Sequence, residues 1–230
     1  VEDAARNAHD HQTSMDLIVG GDVFVPISLG NHYYSSAILR QVMIEFIAKS
    51  RVSVIFLCDR LRFLSYRIRG ETDLERINSS IRIQLDQMTR ALVNLGLDTY
   101  PNALVANWSL FQDDPRYSNL LSSLQQFVQS DIEVSRRLEE YTTQLLQHFR
   151  EVARTNIDDR IQYQQQYILE ETALSLYMTE IRSYNIEVYR RGMGFVDYLY
   201  KERSGDLMSL MGSSILNRKF ISIEHWLEMK

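Results

Sequence analysis

A serine that ends an apolar run is the residue of this sequence best placed to do chemistry. Val23-Phe24-Val25-Pro26-Ile27-Ser28 is followed at once by Leu29, Gly30 and Asn31, and then by a segment with helical patterning. A strand that delivers a hydroxyl to its C-terminal end, then turns sharply, puts that hydroxyl where α/β folds place reactive groups. Gly30 permits the tight turn. Backbone N–H groups opening the next helix can stabilise negative charge on a reacting carbonyl. The chemistry this suggests is nucleophilic attack on a carbonyl, with Ser28 as the nucleophile. The structural alternative is that Ser28 caps the helix over residues 38–48. His32 and His148 are the histidines that a base-assisted serine would need, but neither has an aspartate at a matching spacing, and both read as incidental.

Holding that serine in place calls for a parallel sheet. Residues 23–28 and 52–58 are apolar runs joined by a helical segment over residues 34–49, and strands joined by such a crossover pair in parallel. A third strand is expected over residues 103–108, a short one over 186–189 and a late one over 220–223. Between them the patterning predicts helices over residues 59–69 and 72–95, the latter with Ile77, Ile81, Leu85, Met88 and Leu92 at helical spacing. Pro115 opens a helix. Residues 130–154 read as a long charged helix with Leu138, Tyr141, Leu145 and Phe149 on one face. Residues 156–158 break and cap the chain before a helix over 159–182, and 192–201 is helical. Strands alternate with helices, then long helices dominate. The fold class is therefore α/β: a single Rossmann-like domain, with a mostly parallel sheet flanked by helices. Residues 1–14 are polar and expected to be flexible, leaving residues 15–230 as the folded domain.

With 230 residues, 45% of them hydrophobic and 24% charged, the chain can bury one substantial core. A net charge of −5 argues against a DNA-coating protein, though not against a local basic patch. The single Cys58 sits in an apolar run and reads as a buried thiol in a reducing compartment. No apolar run approaches a membrane span, no signal peptide is visible, and nothing calls for a metal or cofactor. The sequence starts at Val1, so the natural N-terminus is expected to lie upstream.

Four segments together carry a resemblance. Ser28-Leu29-Gly30-Asn31 resembles the nucleophile segment of the cyclodipeptide synthases. Tyr167-Ile168-Leu169-Glu170-Glu171 resembles that family's Tyr-x-x-x-Glu pair on a late helix, with Tyr167 and Glu171 in register. Tyr189, in Ile186-Glu187-Val188-Tyr189, falls on the family's strand tyrosine. Asp114-Pro115-Arg116-Tyr117 resembles its Pro-x-Tyr ahead of a helix. Order and separations agree over roughly residues 20–200. The resemblance implies a catalytic domain like that of the class I tyrosyl- and tryptophanyl-tRNA synthetases, without their ATP signatures. It implies a reaction in which two aminoacyl-tRNAs are joined into a 2,5-diketopiperazine, with no cofactor, in the cytoplasm. Two departures stand out: Arg190 follows the strand tyrosine where a large subgroup has His, and the helix over 72–95 carries only Arg76, Arg82 and Arg90.

By that resemblance, Ser28 carries the first aminoacyl group, Glu171 and Tyr167 receive the α-ammonium group from one helix face, and Tyr189 hydrogen-bonds near Ser28. Gly30, Asn31 and Tyr117 contribute to substrate binding. The first side-chain pocket is expected near Phe24, Phe56, Trp108 and Glu187. A carboxylate there suits a guanidinium with an aromatic ring stacked on it, which points to arginine as the first amino acid. The tRNA grip is expected from Arg60, Arg62, Arg67 and Arg69, with Arg76, Arg82 and Arg90, aided by Arg40, Lys49 and Arg51; the plainer reading of each is a solvated charge. The rival functions are a synthetase-like module that binds tRNA without catalysis, and a serine esterase or acyltransferase.

Overall fold

The computed structural model describes residues 18–111, 113–147 and 156–228. Its centre is a sheet of β1 (Asp22–Ile27), β2 (Val52–Leu57), β3 (Ala103–Asn107), β4 (Ile186–Tyr189) and β5 (Lys219–Ser222). The order is β3-β2-β1-β4-β5 and every pair is parallel. This is the Rossmann order, and it reverses direction between β1 and β4. β1 and β2 are buried from their second residue onward, which is why they read as continuous apolar runs rather than alternating ones.

The pleat sorts their side chains into two layers. Phe24, Val54 and Phe56 face one layer, with Leu61, Leu124, Leu138 and Leu174. Those residues come from α2 (Asp59–Ile68), α4 (Pro115–Ser130), α5 (Ile132–Gln147) and α6 (Ile157–Leu176). Val23, Val25, Ile27, Ile55 and Leu57 face the other, with Leu39, Ile77 and Trp226. Those belong to α1 (Ser36–Val42), α3 (Leu74–Asn94) and α9 (Ile223–Glu228). α7 (Gly194–Glu202) and α8 (Ser204–Met211) lie between β4 and β5 in sequence.

Several expected boundaries shift for local reasons. The first helix opens at Ser36, capped by Ser35, whose hydroxyl accepts the Ile38 N–H, and continues as a π-turn over Met43–Ile47. The charged helix starts at Ile132, because Asp131 Oδ1 accepts the N–H groups of Glu133 and Val134. The end expected for it, with Phe149 and His148, lies outside the described residues, as do residues 1–14. Asn156 caps α6 through the Asp158 N–H, and α6 ends in a second π-turn over Tyr177–Ile181. α8 is an element that the sequence patterning does not announce. No described helix is long and apolar enough to cross a membrane.

Candidate active site

Ser28 follows the last residue of β1, and Tyr189 is the last residue of β4. The two strands are neighbours at the point where the strand order reverses, so their C-terminal ends meet in the crevice where open α/β sheets bind ligands. Ser28 Oγ and Tyr189 Oη are 2.7 Å apart, and either can donate. The helix-cap alternative fails, since Ser35 holds that place. Burial, then the nearby Glu171, push the Tyr189 phenol well above its ordinary 10, so it stays protonated.

The turn after Ser28 is built for close approach. Gly30 has φ +68°, and a Cβ there would lie 2.8 Å from the Arg62 guanidinium. Asn31 Oδ1 accepts the Tyr33 N–H at 3.0 Å, and the Asn31 N–H bonds Ser28 O at 3.3 Å. The residues that open α1 do not line the cleft above Ser28; Leu29, Gly30 and Asn31 do. The helix-start N–H groups expected to face the reacting carbonyl are therefore not part of this cleft.

That cleft has a volume of about 480 Å³ and is lined by Ser28, Tyr167, Glu171 and Tyr189 together. Tyr167 and Glu171 come from α6. The helix repeats one face at four-residue steps: Tyr163 meets Arg67, Tyr167 and Glu171 face the cleft, and Ser175 meets Glu187. Burial first, then the charge of Glu187, push the Glu171 carboxyl from its ordinary 4.5 up to about 8, with the Tyr189 hydroxyl drawing it back. Glu170, its neighbour in sequence, does different work. Arg60 clasps it with Nε and Nη2 at 2.9 Å each, and Gln166 adds a third bond.

A narrow side cavity of about 10 Å³ opens beneath the cleft, room for about one water. Phe24 and Glu187 line it as expected, with Cys58, Leu61, Leu174 and Met193. Phe56 and Trp108 do not: they sit one layer deeper, stacked edge-on with each other and with Phe24 and Tyr117. Tyr117 is likewise in that aromatic core, not in the cleft. Glu187 already has a cation of the chain itself beside it. Arg218 Nε donates to its Oε2 at 2.6 Å and Ser175 Oγ at 2.8 Å, while Arg218 Nη1 reaches Asp197. Met193 lines the cleft, the side cavity and a further cavity of about 210 Å³ beside α5. Arg218, Ser175, Met193 and Arg191 all escaped sequence reasoning. Arg218 precedes a short late strand, and nothing in its spacing ties it to Glu187.

The basic residues divide. Arg60 and Arg67 fasten α2 to α6, Arg67 through the Tyr163 hydroxyl at 2.6 Å. Lys49 pairs with Glu45, Arg51 with Asp22 and Arg76 with Glu71. Arg40, Arg82 and Arg90 are exposed. Arg62 and Arg69 line the cleft, as do His32, Arg190 and Arg191.

A serine hydroxyl thus stands at the switch point of a Rossmann sheet and shares its cleft with the carboxyl of Glu171. Solved structures share that fold. A cyclodipeptide synthase from Fluoribacter dumoffii is 14% identical, with TM-score 0.75 over 91% of this chain and 92% of that one. A Mycobacterium tuberculosis protein, whose structure is described as relating cyclodipeptide synthetases to type I tRNA synthetases, is 18% identical, with TM-score 0.67 over 83% of each chain. AlbC, a cyclodipeptide synthase from Streptomyces noursei, is 14% identical, with TM-score 0.66 over 92% of this chain and 100% of that one. The family model described as cyclodipeptide synthase matches residues 11–209, and the chain belongs to that family of tRNA-dependent aminoacyltransferases. A search of curated proteins returns no match.

Proposed function

We propose that this chain joins two aminoacyl-tRNAs into a 2,5-diketopiperazine through an aminoacyl ester on Ser28. The observation that carries this is the Ser28–Tyr189 hydroxyl pair, 2.7 Å apart, opening on the cleft that Glu171 shares. In the first step Ser28 Oγ adds to the aminoacyl carbonyl and the ester C–O bond breaks. The ribose hydroxyl leaves with the proton that Ser28 gives up, Tyr189 passing it across the short bond. The amine of the second aminoacyl-tRNA then attacks the acyl-Ser28 and restores the serine hydroxyl. The free amine of the resulting dipeptidyl ester attacks its own ester carbonyl, closes the ring and releases the second tRNA. The esters are activated already, so positioning and charge stabilisation supply most of the rate.

Glu171 suits the amine. Its pKa of about 8 lies beside the roughly 7.7–8.0 of a free α-amino group. A proton therefore moves between ammonium and carboxylate at little cost, which a general base needs. Because the reaction consumes aminoacyl-tRNA, the cytoplasm is the compartment proposed for it.

Arginine remains the proposed first amino acid, on a corrected argument. Glu187, Asp197 and Arg218 form one cluster with one more negative than positive charge. A cationic side chain would balance it. Glu187 Oε2 holds both bonds the residue makes, which leaves Oε1 for a substrate donor. The side cavity must widen to admit that side chain, and Met193, a long and adaptable apolar side chain, lies in its wall. Expression in a bacterium and mass spectrometry of the medium tests the reaction, with cyclic dipeptides containing arginine as the expected products. The absence of any cyclic dipeptide from cells holding a well-expressed, folded protein contradicts the synthase reading. Cyclic dipeptides of apolar residues alone contradict only the arginine assignment.

A further inference from the structure

Among the arginines around the cleft, Arg62 is held in a way that leaves its charge unanswered. Its Nε donates to Gln84 Oε1 at 2.9 Å and its Nη2 to the Tyr66 hydroxyl at 3.4 Å. The guanidinium lies over the Tyr66 ring, 4.6 Å from its centroid. All of these partners are neutral. Arg60 and Arg190, by contrast, each meet a carboxylate. A guanidinium has five N–H donors, so Arg62 keeps Nη1 and part of Nη2 uncommitted among the described residues. A fixed, partly buried cation that lacks a counter-charge is costly unless an anion arrives.

The position of Arg62 names the anion. Its guanidinium rests against the backbone of Gly30, where any Cβ would clash at 2.8 Å. The positive φ of Gly30 is what calls for glycine there, and the close approach of Arg62 places its charge beside the turn that follows Ser28. Both residues line the cleft with Ser28, and Arg69 and Arg191 line it too. A ligand whose ester carbonyl reaches Ser28 carries that ester on a ribose, and the ribose 5′-oxygen bears a phosphodiester. Planar, permanently charged guanidinium groups are suited to phosphate oxygens.

We propose that Arg62, steadied by Gln84 and Tyr66, is the phosphate subsite for the terminal nucleotide of the aminoacyl-tRNA, with Arg191 lining the same cleft. This rests on the acyl-transfer reading and specifies which group of the substrate the site grips. Arg62 is a binding residue that positions the ester. It takes no part in bond making.

Two small esters isolate the phosphate. One is 3′-O-aminoacyl-adenosine. The other is the same ester bearing a 5′-methyl phosphate, which carries the single charge of the natural linkage. Acylation of Ser28 is followed by intact-protein mass spectrometry, with aminoacyl-tRNA as the positive control. The wild type is expected to need at least tenfold less of the phosphate ester for half-maximal rate, with the advantage shrinking as salt rises. Arg62→Gln is expected to erase that advantage, so that the two esters reach half-maximal rate at equal concentrations, and a thermal melt matching that of the wild type shows that the variant folds. Arg62→Lys is expected to recover part of it. Equal use of both esters by the wild type overturns the proposal, as does an undiminished advantage in Arg62→Gln, or acylation by aminoacyl-tRNA with neither ester active. Failure of all three substrates to acylate Ser28 overturns instead the acyl-transfer reading beneath it.

Discussion

Replacing Glu171 with Gln should make the protein more stable and less active, by an amount that depends on pH. The carboxyl loses its proton near 4.5 when unfolded and near 8 when folded. The native chain therefore keeps a proton that the unfolded chain releases between those values. The contribution to stability is complete below pH 4.5 and is lost as pH rises through 8. At about 1.4 kcal/mol per pKa unit, the loss reaches roughly 3 kcal/mol at pH 7 and roughly 4 kcal/mol at pH 8. Glu171 opens on the cleft, so water screens part of this, and about 2 kcal/mol is the expected effect between pH 5 and pH 8. The glutamine of the variant has no proton to lose. For a chain of this size each kcal/mol moves the melting temperature by about 2–4 °C. The melting temperature of Glu171→Gln relative to wild type should thus climb by about 4–8 °C between pH 5 and pH 8, while diketopiperazine yield collapses. Thermal melts at a series of pH values, with product assays on the same samples, measure both. A difference in melting temperature that is flat with pH would refute the buried, protonated carboxyl. A loss of product matched by a loss of stability would make Glu171 a structural residue.

Met193→Ala should enlarge the side cavity and widen the range of amino acids loaded first, read with a panel of charged tRNAs; an unchanged range would remove Met193 from the pocket wall. Arg218→Met should cost roughly 3–5 kcal/mol, because it leaves Glu187 buried without its cation, and adding Glu187→Gln should recover much of that loss in urea unfolding. Recovery of nothing would mean the pair is not the source of the cost. Arg82→Gln and Arg90→Gln should each lower kcat/KM for aminoacyl-tRNA and reduce the salt slope by about one counter-ion, with no change in melting temperature. Arg60→Ala should do the reverse, losing stability by breaking its clasp on Glu170, and a purely kinetic effect there would place Arg60 back on the tRNA surface.

The chain order of strands and helices was legible in the sequence because β1 and β2 are buried on both faces and α3 repeats an apolar face over many turns. The same pattern put Ser28 at a strand end, and the strand order then brought Tyr189 to it. Other features depend on contacts between segments far apart in sequence. Glu187 reads as an unpaired carboxylate until β5 is laid beside β4 and Arg218 arrives. Phe56 and Trp108 read as pocket walls because their strand positions are right, yet the aromatic core with Tyr117 draws them inward. Arg60 and Arg62 are two residues apart on one helix and look alike in sequence. Only the packing of α2 against α6 sends the first to Glu170 and leaves the second over Gly30. The helix start moved because Asp131 and Ser35 each offered a side-chain oxygen to the first free N–H groups, and such caps are set by one or two residues rather than by a period.

The central claim is that Ser28 carries the first amino acid. Wild-type protein and Ser28→Ala are mixed with aminoacyl-tRNA, quenched, and weighed intact by mass spectrometry. The account predicts a mass increase of one aminoacyl residue on the wild type, mapped to the peptide holding Ser28, and neither adduct nor diketopiperazine from Ser28→Ala. Undiminished diketopiperazine from the alanine variant would contradict it.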